Sequence, residues 1–388
     1  MNPLEEKIIE KIKKGGPISF ETFMDMALYY PELGYYSSPE TTIGREGDFY
    51  TGPHLHPIFG AMIGRALMEM WDVMGKPDHF NAVEMGAGVG YLSKDIFDYL
   101  YNPSEDSSLS EDKSAFLRSL KYVIVEPYEH FQKRQRELLA ERELKGNNDI
   151  TWVKSLNELQ QGVNGCIFSN ELLDAFPVHL IEINDELKEL YISFNGKELV
   201  EEKKSVISGE IKDCLKQFSI DPPTGYRTEI NLRIKNWLRD VTEVLSHGFL
   251  LTIDYGYSAR EYYSDDRTKG TLLCYHKHSF NENPYQNIGR QDITAHVNFS
   301  SLKEWGEELG LKTTGYCSQG TFLVSSGIDE VITELYSGSP DYLFETSKIK
   351  GLIMPQGMGE SHSVMIQYKG EGLPELRGFS MRNQSGIL

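Results

Sequence analysis

The chain has 388 residues, 39% of them hydrophobic and 25% charged, which is an ordinary composition for a globular enzyme. Its 39 basic and 58 acidic side chains give a net charge of −19, so we expect no nucleic acid partner and favour a basic protein segment. Four cysteines without a CxxC pair, no signal peptide and no long apolar run argue against a secreted disulfide scaffold and against membrane insertion. We expect a cytoplasmic protein, or a mitochondrial matrix protein if it is a processed eukaryotic member.

Helices and one long loop are predicted for residues 1–78, which we interpret as an N-terminal segment. The spacing of apolar residues predicts helices at 4–13, 20–30 and 57–74. Between the last two helices, residues 34–53 are rich in glycine, proline and aromatic residues and have little periodicity. Long ordered loops of this kind in compact enzymes often carry function.

Strands and helices alternate from residue 79 onward, which predicts a mostly parallel, doubly wound α/β sheet. The predicted strands lie near Ala82 and at 121–126, 150–153, 165–169, 249–256, 314–324 and 363–368. The predicted helices between them lie at 91–100, 128–145, 229–246 and 301–308, and the polar stretch 102–116 is interpreted as a surface insertion. Residues 178–246 and 257–298 interrupt the pattern as insertions that could form a lid, the first containing antiparallel strands and an Asn195-Gly196 hairpin turn.

A glycine loop follows the first strand of this domain, where Glu84 precedes Gly86, Gly88 and Gly90 in GxGxG spacing. Glycines allow a sharp turn and a close approach of the backbone to a ligand. The third glycine comes one residue too early for the dinucleotide pattern GxGxxG. A carboxylate inside the turn suits a ligand with positive charge, such as S-adenosylmethionine with its sulfonium and ammonium groups.

Glu126 ends the next strand, a position from which an acid can accept hydrogen bonds from ribose hydroxyls. Together with the glycine loop it predicts a nucleoside cofactor. A solvated strand end is the alternative for Glu126 considered alone.

Four further stretches resemble the MidA-like family of class I methyltransferases. They are Gly47-Asp-Phe-Tyr-Thr51, Ser169-Asn-Glu-Leu-Leu-Asp-Ala-Phe-Pro177, Leu251-Thr-Ile-Asp-Tyr-Gly256 and Gly289-Arg-Gln-Asp-Ile-Thr-Ala-His-Val-Asn-Phe299. The resemblance runs from about Pro17 to Gln367. It implies a seven-stranded methyltransferase sheet, S-adenosyl-L-methionine as cofactor, and methylation of a protein arginine. The family includes the mitochondrial enzyme that assists assembly of respiratory complex I, so a complex I subunit is the implied partner.

Carboxylates suit an arginine acceptor because they bind the guanidinium through two parallel hydrogen bonds and can receive the released proton. The carboxyl ends of parallel strands are where ligands bind in such sheets. We therefore expect Glu171 to clamp the substrate, with support from Asn170, which is also expected to contact the cofactor, and from Asp174 and Asp254. Asp48 in the early loop is expected to close over the cofactor, and a cap or turn role is the alternative for Asp174.

Several polar residues keep more than one interpretation. Asp292 and His296 could line the acceptor pocket, and a structural role suits His296 equally well. Two His-x-His pairs, His54 with His56 and His276 with His278, lack the further ligands that zinc needs, so no metal is expected. The alternatives to an arginine methyltransferase are a methyltransferase for small molecules, a cofactor-binding assembly chaperone without catalysis and, more distantly, an NAD-linked oxidoreductase. The sequence does not predict the oligomeric state.

Overall fold

Strands and helices alternate along much of the chain in the computed structural model, which describes residues 2–40, 52–103, 107–146, 150–159, 162–218, 220, 223–277 and 279–388. Its helices are α1 Pro3–Gly15, α2 Phe20–Tyr29, α3 Gly52–Leu55, α4 Ile58–Val73, α5 Tyr91–Tyr101, α6 Ser107–Ser119, α7 Glu129–Gly146, α8 Gly209–Gln217, α9 Arg233–Val244, α10 Ala259–Tyr262, α11 Phe299–Glu308, α12 Gln319–Ser325, α13 Ile328–Tyr336 and α14 Tyr342–Ile353. Its strands are β1 Ile18–Ser19, β2 Phe80–Met85, β3 Leu120–Val125, β4 Ile150–Val153, β5 Val163–Asn170, β6 His179–Ile183, β7 Leu187–Phe194, β8 Leu199–Ser205, β9 Tyr226–Ile230, β10 Leu245–Tyr257, β11 Leu273–His276, β12 Ser279–Asn281, β13 Asp292–Thr294, β14 Val297–Asn298, β15 Lys312–Ser318 and β16 His362–Lys369.

The chain forms two compact units, and the larger one consists of residues 50–172, 238–255 and 303–388. Its sheet has the strand order β15-β16-β10-β5-β2-β3-β4. The pairs from β10 to β4 are parallel, whereas β16 runs antiparallel to both β10 and β15. Buried apolar side chains of α4, α5 and the central strands form its core. This arrangement confirms the predicted α/β class with a mostly parallel sheet.

The smaller unit consists of residues 1–49, 173–237 and 256–302. Its largest sheet is antiparallel, with the order β1-β7-β6-β9 and β8 paired to β7. Gly196, between β7 and β8, has φ +95°, so the predicted Asn195-Gly196 hairpin is confirmed. A second sheet has the order β12-β11-β13.

These units divide the chain differently from the predicted domains. Residues 50–78 belong to the larger unit, while residues 1–49 belong to the smaller unit together with most of both predicted insertions. The main sheet has eight described strands instead of the implied seven, because the short β14 pairs with the end of β10 at Gly256 and Tyr257.

Three local predictions were wrong in extent or type. The polar stretch after α5 contains helix α6, which is held by Phe116, whose buried ring contacts Trp71 and Phe80. The strand predicted over 314–324 ends at Ser318, since the hydroxyl of this residue accepts the Thr321 N–H and caps α12. The helix predicted from residue 229 begins only after β9. Within the described ranges no helix is both long and apolar enough to span a bilayer.

Candidate functional site

The glycine loop connects β2 to α5 in the larger unit. Gly86, Gly88 and Gly90 have φ angles of +70°, +54° and +92°, a region that strains other residues. A Cβ on Gly86 would lie 2.9 Å from Leu172 Cδ1, and a Cβ on Gly90 would lie 3.3 Å from Gln135 Cγ. A Cβ on Gly88 would meet no described atom within 4 Å. Gly86 and Gly90 are therefore fixed by packing, whereas Gly88 borders open space that a ligand can fill.

Replacing Gly88 by alanine should weaken cofactor binding without preventing folding. The added methyl group meets no atom of the described residues but occupies space at the loop, and overpacking a contact costs about 1–3 kcal/mol, or roughly 5- to 150-fold in affinity. Titration calorimetry with S-adenosyl-L-methionine, the cofactor that the resemblance implies, measures the effect. Gly310→Ala is the matched control, since Gly310 also has a left-handed backbone (φ +87°) and open space around its Cβ position. Equal affinities of the two variants would contradict a ligand-binding role for Gly88.

Glu84 lies within β2 and not in the turn, which corrects its predicted position. Its side chain is buried, and its Oε2 accepts hydrogen bonds from the Ser93 hydroxyl and, at 2.5 Å, from the Tyr122 hydroxyl. Burial raises the pKa of this carboxyl to about 7, although both hydrogen bonds oppose the shift. The carboxyl group thus connects β2 to β3 and α5 through hydrogen bonds beneath the loop. Its contact with a ligand ammonium group stays a prediction.

Glu126 follows β3 directly and is 4% exposed. Its Oε1 accepts the Tyr128 N–H at 3.0 Å, and its Oε2 accepts the Gln135 side-chain amide at 3.3 Å. Burial raises the pKa of the Glu126 carboxyl to about 7, against the effect of these hydrogen bonds. A carboxylate has about four lone-pair positions, so two protein donors leave capacity for ligand hydroxyls.

Gln135 was not predicted as a site residue. This fully buried side chain of α7 donates to the Gly88 carbonyl at 2.7 Å as well as to Glu126, and its oxygen accepts the Trp152 indole N–H at 2.9 Å. It therefore fixes the glycine loop and the strand-end acid relative to each other. No signal in the sequence distinguishes it, because α7 contains many polar residues.

These features fit a nucleoside cofactor. The open space at Gly88, the buried acid Glu126 with acceptor capacity, and the amide that joins them lie together at the carboxyl ends of β2 and β3. The residues that would hold the cofactor are the three loop glycines and Glu126.

Glu171 follows β5 in a left-handed conformation, with φ +51°. Such strain in a residue other than glycine is tolerated where the surroundings enforce it, and it is concentrated at functional sites. The Glu171 N–H donates to the Ile253 carbonyl at 2.9 Å. Its side chain is 4% exposed, and Oε1 accepts the Asn170 side-chain amide at 3.2 Å and the Gly52 N–H at 3.4 Å. The same oxygen lies 3.5 Å from His362 Nε2.

Asn170 ends β5 and presents its amide beside Glu171. Its Nδ2 is engaged by the Glu171 carboxylate, whereas its buried Oδ1 has no hydrogen-bond partner among the described residues. A buried acceptor without a donor indicates a place where a ligand or water supplies one. Asn170 and Glu171 therefore form a cluster of acceptors that suits a ligand rich in N–H donors.

Asp254 was predicted as a catalytic residue on the same edge of the sheet. It is fully buried in β10, where its Oδ1 accepts the Tyr255 N–H at 2.9 Å and its Oδ2 accepts the Leu172 N–H at 3.2 Å. Both oxygens bind backbone donors, so Asp254 helps to hold the turn that carries Glu171, and its catalytic role stays a prediction.

Asp174 and Asp292 belong to the smaller unit, where both are buried. The Tyr36 hydroxyl donates to Asp292 Oδ2 at 2.9 Å, and the Asp174 carbonyl accepts the Ala295 N–H at 2.9 Å. Burial first, and then the charges of Asp292 and Asp174 among other groups, raise the pKa of Tyr36 well above its ordinary value. The structure thus brings the two acids near one partly buried tyrosine, and a role of Asp174 in substrate binding stays a prediction.

Other predicted residues receive less support. The His296 N–H donates to Thr271 Oγ1 at 3.0 Å, a structural contact that leaves its role in an acceptor pocket a prediction. Asp48, with the rest of Gly47–Thr51, lies outside the described residues.

The two His-x-His pairs do not assemble a metal centre in the described part of the chain. His56 Nε2 lies 2.8 Å from Glu345 Oε2, and His278 lies outside the described residues. No group of three or more histidine, cysteine, aspartate or glutamate side chains suited to a metal ion occurs among the described residues.

Comparison with known proteins yields one consistent set of relatives. A family model described as an S-adenosyl-L-methionine-dependent methyltransferase matches residues 62–317. The mitochondrial protein arginine methyltransferase NDUFAF7 of Xenopus laevis is 26% identical, over 98% of this chain and 89% of that protein. The human protein of the same name is 25% identical, over 93% of this chain and 82% of that protein.

Among solved structures, a protein from Burkholderia thailandensis crystallised with bound S-adenosyl-homocysteine matches with a TM-score of 0.87. It is 30% identical and covers 99% of this chain and 96% of its own. The structural match therefore extends over both compact units.

Proposed function

We propose that this chain, which belongs to the MidA-like family of S-adenosyl-L-methionine-dependent methyltransferases, methylates arginine in a protein substrate. Its cofactor is S-adenosyl-L-methionine. The relatives named protein arginine methyltransferases support the choice of acceptor. The observation that carries the proposal is the buried Glu171 carboxylate in a left-handed turn, beside the Asn170 amide oxygen, which has no hydrogen-bond partner among the described residues.

The chemistry of arginine explains why such a cluster is suitable. Its guanidinium is planar and stays charged, and it presents five N–H donors that match a carboxylate bidentately. Glu171 and the Asn170 oxygen are acceptors, and a buried carboxylate is unfavourable until a donor or an opposite charge compensates it. A guanidinium supplies both the hydrogen-bond donors and the positive charge.

Bound S-adenosyl-L-methionine would supply a methyl group already activated on a sulfonium, and the thioether S-adenosylhomocysteine would leave with the electron pair of the broken methyl–sulfur bond. The protein contributes positioning and electrostatics. The three loop glycines and Glu126 would hold the cofactor. Glu171 would accept hydrogen bonds from the guanidinium and receive the proton that leaves the nitrogen as its bond to the methyl carbon forms.

The partner proposed from the family resemblance is a subunit of respiratory complex I. The net charge of −19 supports a basic segment as the part of the partner that docks. The relatives named above are mitochondrial, which supports the matrix as the compartment of a processed eukaryotic member, while a cytoplasmic location stays the prediction from sequence.

Methylation in a cell lysate tests the proposal. Purified protein is incubated with methyl-labelled S-adenosyl-L-methionine and lysate, the protein and small-molecule fractions are separated, and the labelled protein is hydrolysed for amino-acid analysis. We expect label in protein as methylarginine. Label confined to small molecules, or to another amino acid, would contradict it.

A further inference from the structure

His362 is the first residue of β16 and lies beside Glu171, in the larger unit. It is 1% exposed, and its backbone pairs with Tyr255 of β10. The rings of His362 and Tyr255 have centroids 3.9 Å apart. Its Nδ1 is 3.0 Å from the Ser361 hydroxyl oxygen, and its Nε2 is 3.5 Å from Glu171 Oε1. One ring nitrogen is therefore engaged by serine while the other faces the carboxylate.

The hydrogen bonds to the Glu171 carboxylate are long, which makes its neighbour His362 important. The donors that the described residues offer to its carboxylate are Gly52 and Asn170, at 3.4 and 3.2 Å, which is at or beyond the long end of the hydrogen-bond range. Among the described residues, His362 is the sole basic side chain within 4 Å of that carboxylate. Its Nε2 is buried and makes no hydrogen bond within the described part of the chain. A carboxylate and an imidazole are thus buried together, slightly too far apart for a good hydrogen bond.

We propose that His362 is a positioning residue for methyl transfer, whose Nε2–H orients the Glu171 carboxylate. The proposal rests on the function proposed above and extends it to a residue outside the matched range 62–317. In the tautomer with the proton on Nε2, Nδ1 accepts the hydrogen bond from the Ser361 hydroxyl at 3.0 Å. A small shortening of the Nε2–Oε1 distance as substrate binds completes the hydrogen bond, as catalytic contacts commonly tighten in the complex.

Histidine NMR tests the tautomer without any substrate. The chain has ten histidines, so selective ¹⁵N labelling gives a small set of signals, and loss of one signal in His362→Gln assigns it. We expect His362 to carry its proton on Nε2, and we expect its ¹⁵N shifts to change in Glu171→Gln. A neutral ring protonated on Nδ1 would overturn the proposal.

Steady-state kinetics tests the positioning role with two matched variants. His362→Phe keeps a ring against Tyr255 but has no N–H, whereas His362→Gln gives up the ring and keeps an N–H donor. We expect the phenylalanine variant to lose about 10- to 100-fold in kcat, the scale of a hydrogen bond to a charged group, with unchanged cofactor affinity. The glutamine variant should recover most of that loss. The opposite order of the two variants would mean that ring packing alone matters and would overturn the proposal.

A double-mutant cycle completes the test. If His362 acts through Glu171, then His362→Phe has little further effect in a Glu171→Gln background. A full additional loss there would overturn the proposal. Wild-type protein that fails to methylate arginine would refute the proposed function instead, and the NMR experiment would still decide the tautomer and the His362–Glu171 interaction.

Discussion

Replacing Glu171 by glutamine should lower kcat for methyl transfer by about 10²- to 10⁴-fold, the usual contribution of a positioned acid or base. Glutamine has the same shape but carries no charge and accepts no proton. It can still occupy the turn beside Asn170, so the fold should survive. Because the glycine loop and Glu126 would hold the cofactor, the dissociation constant for S-adenosylhomocysteine should change by less than about threefold, below 1 kcal/mol.

Initial rates and titration calorimetry on the same preparations measure the two quantities. Glu32→Gln is a matched control, because Glu32 is also a glutamate with a left-handed backbone (φ +62°), but it is exposed and belongs to the smaller unit. Its substitution should leave both quantities unchanged. If the Glu171→Gln enzyme stays active, Glu171 does not clamp the substrate. If the variant loses cofactor affinity in parallel with activity, Glu171 belongs to the cofactor site.

Cofactor affinity should fall as the pH drops through 7, because of Glu126. The pKa of its carboxyl is raised to about 7, so the group is largely ionised at pH 8 and largely protonated at pH 6. The ionised form is the one that accepts hydrogen bonds from two ribose hydroxyls. If binding requires that form, the affinity at pH 6 is roughly tenfold below that at pH 8.

Glu126→Gln should bind more weakly at pH 8 and show little dependence on pH between 6 and 8. Calorimetry at several pH values checks this result. Glu84 is the necessary control, since the pKa of its buried carboxyl is also raised to about 7. Because Ser93 and Tyr122 engage that group, Glu84→Gln should retain the pH dependence. If Glu84→Gln abolishes it instead, the titrating group is Glu84 and the assignment to Glu126 fails.

The sequence predicted the parts of the site that adjoin strand ends. A short apolar run followed by a polar residue marks the end of a buried strand, so the local pattern alone places Glu126 and Asn170 at the carboxyl edge of the sheet. Glu84 was misplaced because β2 continues for one residue beyond it, to Met85, and this keeps its side chain within the packed strand.

Residues that act through long-range contacts could not be predicted. Gln135 reaches Gly88 from α7, and His362 reaches Glu171 from β16. Each lies far along the chain from its partner, and neither belongs to a motif. Helix α6 was not predicted for a related reason. It lacks a strong local pattern and is stabilised by the packing of Phe116 against a distant part of the chain.

The interleaving of the two units along the chain has a consequence for how the protein forms. Each unit is assembled from three separate segments, and the central strand β10 pairs with β5 before it in sequence and with β16 near the C-terminus. Neither unit can be complete when a ribosome has made only the first half of the chain. Closing such long loops before the contacts form is entropically costly and slows folding. No contiguous fragment consists of one whole unit and nothing of the other, so strand edges stay unpaired while the chain is being made, a state that favours aggregation.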